Sequence, residues 1–178
     1  MFFENFKEGT KYNTNGRTIS EADSILFSTL TGAYNPLFLD ETHAAKTQFK
    51  SRIVPGLLTV SICTGSVYQL PAAPFGEGFV ALVGMNVRWS KPVYPGNTLR
   101  SEVTVASKKE LKDNRGLVTL TARVLDQNSE LVCEVEYRII VIRKTGISSP
   151  YFGGGIEGQH ACRPTHRPWK NSNRDSRR

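Results

Sequence analysis

Hydrophobic and polar positions divide the chain into a helical first half, a stranded second half and an unpatterned end. Ser20 followed by Asp23, ahead of apolar Ala22, Ile25, Leu26 and Leu30, predicts a capped amphipathic helix that stops at Gly32. Asp40 has the chemistry to cap a second, shorter helix running through Glu41 to about Gln48. Between them, Gly32-Ala33-Tyr34-Asn35-Pro36 reads as a turn. Residues 56–70, GLLTVSICTGSVYQL, are apolar on nearly every face and hold no charge, the pattern of a buried helix.

Four long runs with strand character follow, at 79–90, 98–108, 115–126 and 130–143. Alternation is clearest in the last. Leu131, Cys133, Val135, Tyr137, Ile139 and Val141 share one face, and Glu134, Glu136 and Arg138 share the other. Turn residues separate the runs: Pro95-Gly96-Asn97, Asp113-Asn114-Arg115-Gly116 and Asp126-Gln127-Asn128. One uncharged helix ahead of four consecutive antiparallel strands predicts an α+β fold with the sheet wrapped around the helix. A half-wrapped sheet leaves edges to cover, so a homodimer that continues the sheet is expected.

Length and composition add bounds. With 178 residues, 39% hydrophobic and 22% charged, the chain suits one domain, assigned to residues 1–145. Residues 146–178 mix glycine, proline, serine, asparagine and arginine without period and read as a flexible basic tail. No apolar run approaches the roughly 20 residues of a bilayer-spanning helix. The first 16 residues carry Glu4, Lys7, Glu8 and Lys11 and lack the apolar stretch of a signal peptide. Cys63, Cys133 and Cys162 are odd in number and far apart, which suits reduced thiols, so the expected compartment is the cytoplasm.

The formal charge of +7 raises the question of nucleic acid. From residue 146 onward six basic residues stand against Glu157 and Asp175, a net of +4, which leaves only +3 for the body. No motif of sequence-specific recognition accompanies the basic tail, and such binding is not expected. His160, Cys162 and His166 in that tail resemble metal ligands but lack a compact scaffold or a fourth partner, so no metal site is assigned.

Residues 30–58, LTGAYNPLFLDETHAAKTQFKSRIVPGLL, resemble the signature of MaoC-type dehydratases and (R)-specific enoyl-CoA hydratases. The matching positions are Gly32, Asn35, Pro36, Leu37, Asp40, Ala44, Phe49, Ile53, Val54 and Gly56. The later VRWSKPVYPGN, residues 87–97, is similar to the family's strand ending in Lys-Pro-Val before a Pro-Gly turn. The resemblance implies a hot-dog fold, a dimer, and acyl thioesters of coenzyme A or acyl carrier protein as ligands, with no separate cofactor. In the family an Asp and a His on the first motif activate the water that adds to the enoyl double bond, which is general acid-base work by two titratable groups. A backbone amide at the start of the buried helix polarises the thioester carbonyl.

This sequence departs from that pattern at both catalytic positions, with Ala33 in place of the Asp and Phe38 in place of the His. Pro55 stands where the family has a further histidine. Neither alanine nor phenylalanine carries a proton, and each acid-base contribution is worth roughly 10²- to 10⁴-fold in rate. The resemblance leaves Asn35, Gly56, Leu57 and Thr64 as substrate-binding residues.

Replacement groups are few. His43 is the only histidine in the body, but in a short helix opening at Asp40 it reads as a surface residue. Tyr34 brings a phenol near the motif, but beside a turn it reads as a packing residue with a wet hydroxyl. Asp40 reads as a helix cap, and Asn35 as a brace for its own turn as readily as a ligand contact. Cys63 and Cys133 read as small buried hydrophobes.

Three functions follow. The chain is expected to be an acyl-thioester-binding relative of the hydratases. Alternatively it is a non-catalytic subunit whose partner hydratase supplies the Asp and His. A thioesterase or isomerase on the same fold is a third reading. Thioesterases of this fold usually need an Asp or Glu near the helix start, and residues 51–64 contain none.

Overall fold

A computed structural model describes residues 1–144; the tail assigned to 146–178, with His160, Cys162 and His166, lies outside the described residues. A 3-10 turn at Phe3–Asn5 leads to two short strands, β1 (Lys11–Asn13) and β2 (Arg17–Thr18). Four helices follow: α1 (Glu21–Thr31), α2 (Pro36–Leu39), α3 (Glu41–Ala44) and α4 (Gly56–Tyr68). Four long strands complete the order, β3 (Phe79–Trp89), β4 (Thr98–Glu110), β5 (Arg115–Leu125) and β6 (Leu131–Ile142).

Local chemistry sets the boundaries. The Ser20 hydroxyl accepts from the Asp23 amide at 3.2 Å while the Asp23 carboxylate accepts from the Ser20 amide at 2.8 Å, so the helix start is satisfied from both sides. At its other end Gly32 adopts φ 74°, a left-handed conformation that glycine takes without Cβ strain. Asp113 and Asn114, both with positive φ, reverse the chain between β4 and β5. Asp126 Oδ1 accepts from the amides of Asn128 and Glu130 at 2.8 and 2.9 Å and shapes the turn into β6.

The strands form one antiparallel sheet in the order β1-β4-β5-β6-β3, with β2 also paired to β4. Tyr137 on β6 stands opposite Leu120 on β5 and Met85 on β3, so these three share a face. That face and α4 make the core. Leu58, Val60, Ile62, Cys63 and Val67 of α4 are buried in one cluster with Val103, Leu120, Val135 and Tyr137 of the sheet. Burying a side chain of this size stabilises by about 1.5–3 kcal/mol, which holds helix and sheet together.

Several expectations need correction. The sequence reads Ile25, Leu26 and Leu30 as the inner face of α1, yet Leu26 is 68% and Leu30 86% exposed, and Ser24 and Ser28 are buried instead. The face that α1 buries is the one carrying the serines, and the leucines lie on the other. The helix expected from Asp40 to Gln48 ends at Ala44, where Thr47 Oγ1 donates to the Ala44 carbonyl at 2.7 Å and the chain turns away. Pro36, read as part of a turn, opens the one-turn helix α2, with its fixed φ at the first helical position. Finally, α4 is not enclosed on all sides: Leu57, Ser61 and Tyr68 are exposed and form a stripe facing away from the sheet. The short pairings of β1 and β2 on β4 had no period long enough to be read from the chain.

Candidate functional site

The turn after α1, α2 and α3 form a continuous layer leading to the start of α4. Asn35 caps α2, its Oδ1 accepting from the Leu37 amide at 2.9 Å, so its side chain braces its own turn. Asp40 caps α3 in the same way, accepting from the His43 amide at 3.0 Å. The Ile53 amide donates to the Leu37 carbonyl at 3.2 Å, tying this layer to the segment three residues before Gly56. The Val54 amide donates to the Val93 carbonyl at 2.8 Å and fixes that segment against the loop after β3. Arg52 adds a clasp. It pairs with Glu41 at 3.0 Å and with Glu21, so α1 and α3 are bound to the approach to α4. Hydrogen bonding from Arg52 holds the Glu41 carboxyl below its ordinary range.

Helix α4 opens at Gly56 behind Pro55, with no side-chain cap and no acidic residue in its first turn. The amides of such a turn present partial positive charge. A groove of about 270 Å³ borders this turn, walled by Phe49, Ile53, Val54, Gly56, Thr59 and the segment from Trp89 to Val93. The Trp89 indole nitrogen donates to the Gly56 carbonyl at 3.3 Å.

Deeper along α4, the Thr64 hydroxyl donates to the Val60 carbonyl at 2.8 Å and lies 3.0 Å from the Tyr137 hydroxyl. Burial raises the Tyr137 phenol to about 12, against a smaller opposing effect of its bond to Thr64. Burial likewise raises the Cys63 thiol to about 11 and the Cys133 thiol to about 12, so both remain protonated near neutrality.

The residues singled out in the sequence fall into two groups. Gly56 lies on the groove, and the layer carrying Ala33, Asn35 and Phe38 is hydrogen-bonded to its rim. Ala33 and Phe38 are half-buried. Tyr34, His43 and Leu57 are exposed, and Thr64 stands two turns farther along α4; none of the four lines the groove. Sequence reasoning passed over Trp89, Thr59 and Tyr137. The strand alternation that sets Trp89 on the face of Val87 was the available signal for the first. Among the described residues, no group of three His, Cys, Asp or Glu side chains is placed to hold a metal ion. Among them, too, no helix is long and apolar enough to cross a membrane.

Comparisons with known proteins agree with this architecture. The family model described as MaoC like domain matches residues 3–128. An (R)-specific enoyl-CoA hydratase from Aeromonas caviae is 34% identical over 111 residues, 62% of this chain and 77% of that protein. One from Rhodospirillum rubrum is 30% identical over 135 residues, 74% of this chain and 90% of that protein. Among solved structures, a monoamine oxidase regulatory protein from Archaeoglobus fulgidus superposes with TM-score 0.76 at 31% identity, covering 80% of this chain and 95% of that one. The (R)-hydratase of A. caviae superposes with TM-score 0.63 at 27% identity, covering 76% and 97%. The sheet wrapped on α4 is thus the hot-dog fold.

Proposed function

Because this chain belongs to the MaoC-like domain family, we propose that it binds acyl thioesters of coenzyme A or acyl carrier protein at the first turn of α4 and lacks the family's hydration dyad. One observation carries the reading. The layer bearing Ala33 and Phe38 is hydrogen-bonded, through Leu37 and Ile53, to the segment that enters α4 at Gly56. The binding half of the site is supported by the uncapped helix start and its apolar groove. Such a helix start favours a carbonyl oxygen gaining negative charge.

Addition of water across an enoyl thioester needs a group to take a proton from water and one to give a proton to the carbon. Ala33 and Phe38 do neither. The exposed His43, whose own amide is engaged by Asp40, lies off the groove. In this reading Asn35 holds the turn in shape and Gly56 offers its amide, while Leu57 and Thr64, which lie off the groove, take no part at this turn of α4. The protein works in the cytoplasm as a homodimer joined along β3, which among the described residues has β6 on one side only.

A second reading is favoured by the outward apolar face of α1. Leu26 and Leu30 are exposed on the helix leading into the altered motif, and Tyr34 is exposed within it, as a surface docking an active hydratase subunit would be. Co-purification from the native host separates the two, since a strictly self-associating protein has no such partner. The primary reading is tested by thermal shift against a series of acyl-CoAs: stabilisation that grows with ligand concentration is expected. Absence of any shift, together with no heat of binding, contradicts it.

A further inference from the structure

The indole of Trp89 stands where a thioester would approach Gly56. It ends β3, which among the described residues pairs with β6 alone, and stands opposite Cys133 on that strand. The ring is 47% exposed. It is held by a hydrogen bond to Gly56 whose 3.3 Å length lies beyond the usual range, hence weakly. A Cβ on Gly56 would fall 3.0 Å from the indole nitrogen and 3.2 Å from Cε2, so the ring rests against the bare backbone of the first helical residue.

We propose that Trp89 sets the size of the acyl group this site accepts, its indole forming the movable wall of the groove before α4. The inference rests on the acyl-thioester reading above and adds the residue that controls it. Phe49, Ile53, Val54 and Val93 form the remaining apolar wall and are anchored by backbone hydrogen bonds or burial. Trp89 alone among the large groove residues combines exposure with a single weak tether. A short acyl chain fits with the indole against Gly56. A longer one requires the ring to turn outward, giving up its contact with Gly56 and freeing its N–H. The site therefore discriminates by chain length through one side chain.

The full chain contains two tryptophans, Trp89 and Trp169, so Trp169→Phe leaves Trp89 as the only indole reporter. Acetyl-, butyryl-, octanoyl- and lauroyl-CoA would be titrated into that variant, and into versions also carrying Trp89→Phe or Trp89→Ala, by calorimetry and fluorescence. Trp89 emission is expected to change as the longer ligands bind. Trp89→Ala should bind octanoyl-CoA about tenfold more tightly, since even one methylene in an apolar pocket is worth roughly that factor; Trp89→Phe should fall between. Binding of long chains by Trp89→Ala alone supports the proposal equally. Melting curves verify folding, and Trp89→Phe retains a ring should the alanine variant fail to fold. Unchanged chain-length preference in both variants, with Trp89 emission indifferent to bound ligand, overturns the inference and leaves acyl binding intact. If no variant binds any acyl-CoA, the acyl-thioester reading falls and this one with it.

Discussion

The hydroxyl of Thr64 on α4 lies 3.0 Å from that of Tyr137 on β6, inside the core that joins helix to sheet. Thr64 donates its own proton to the Val60 carbonyl, so Tyr137 donates to Thr64 and both groups are satisfied in one chain. Tyr137 is fully buried, and a buried hydroxyl deprived of its partner costs about 1–3 kcal/mol. Thr64→Val is therefore expected to destabilise by that amount, Tyr137→Phe by about 1 kcal/mol, and the double variant by less than the sum. Denaturant unfolding of the four proteins measures the coupling, and strict additivity would show that the two hydroxyls do not interact.

Alkaline stability follows from the same core. Burial raises Tyr137 to about 12, Cys63 to about 11 and Cys133 to about 12, above their ordinary values of 10.0, 9.0 and 9.0. The folded state thus holds protons that the unfolded chain releases, and stability falls as pH rises. The associated stability is complete below about pH 9 and is lost progressively from there to about pH 12. Tyr137→Phe should flatten the upper part of that decline, between pH 10 and 12. A wild-type melting temperature constant across pH 9–11.5 would contradict the assignment.

Much of this fold is legible in the sequence. The strands begin and end within about two residues of the patterned runs, because turn residues such as Asp113, Asn114 and Asp126 carry their own chemistry. The start of α1 was legible for the same reason, in Ser20 and Asp23. What escaped was the direction of faces. The buried Ser24 and Ser28 and the exposed Leu26 and Leu30 reverse the order that hydrophobicity assigns, since which helix face is covered depends on tertiary packing. The site was half legible. Gly56 and the motif around Asn35 come from local sequence, whereas strand alternation gives the face of Trp89 but not its meeting with Gly56 across 33 positions.

The exposed apolar face of β3 yields a prediction on assembly. Met85 is 46% exposed although it stands opposite fully buried Tyr137, and Val83 beside it is also exposed. With β6 on one side and no strand on the other among the described residues, this edge suits a second copy. Met85→Lys combined with Val83→Lys should convert a homodimer to monomer in light scattering while the fold persists by circular dichroism. A wild-type monomer, or a variant that remains dimeric, would remove β3 as the interface.

The central claim, that the groove retains its ligand while the motif has lost its proton carriers, is tested most directly by crotonyl-CoA hydration in the wild type and in the double replacement Ala33→Asp with Phe38→His. The account predicts no turnover above background in the wild type and measurable hydration in the double variant, with acyl-CoA binding in both. Wild-type hydration that disappears on changing His43 or Tyr34 would contradict it.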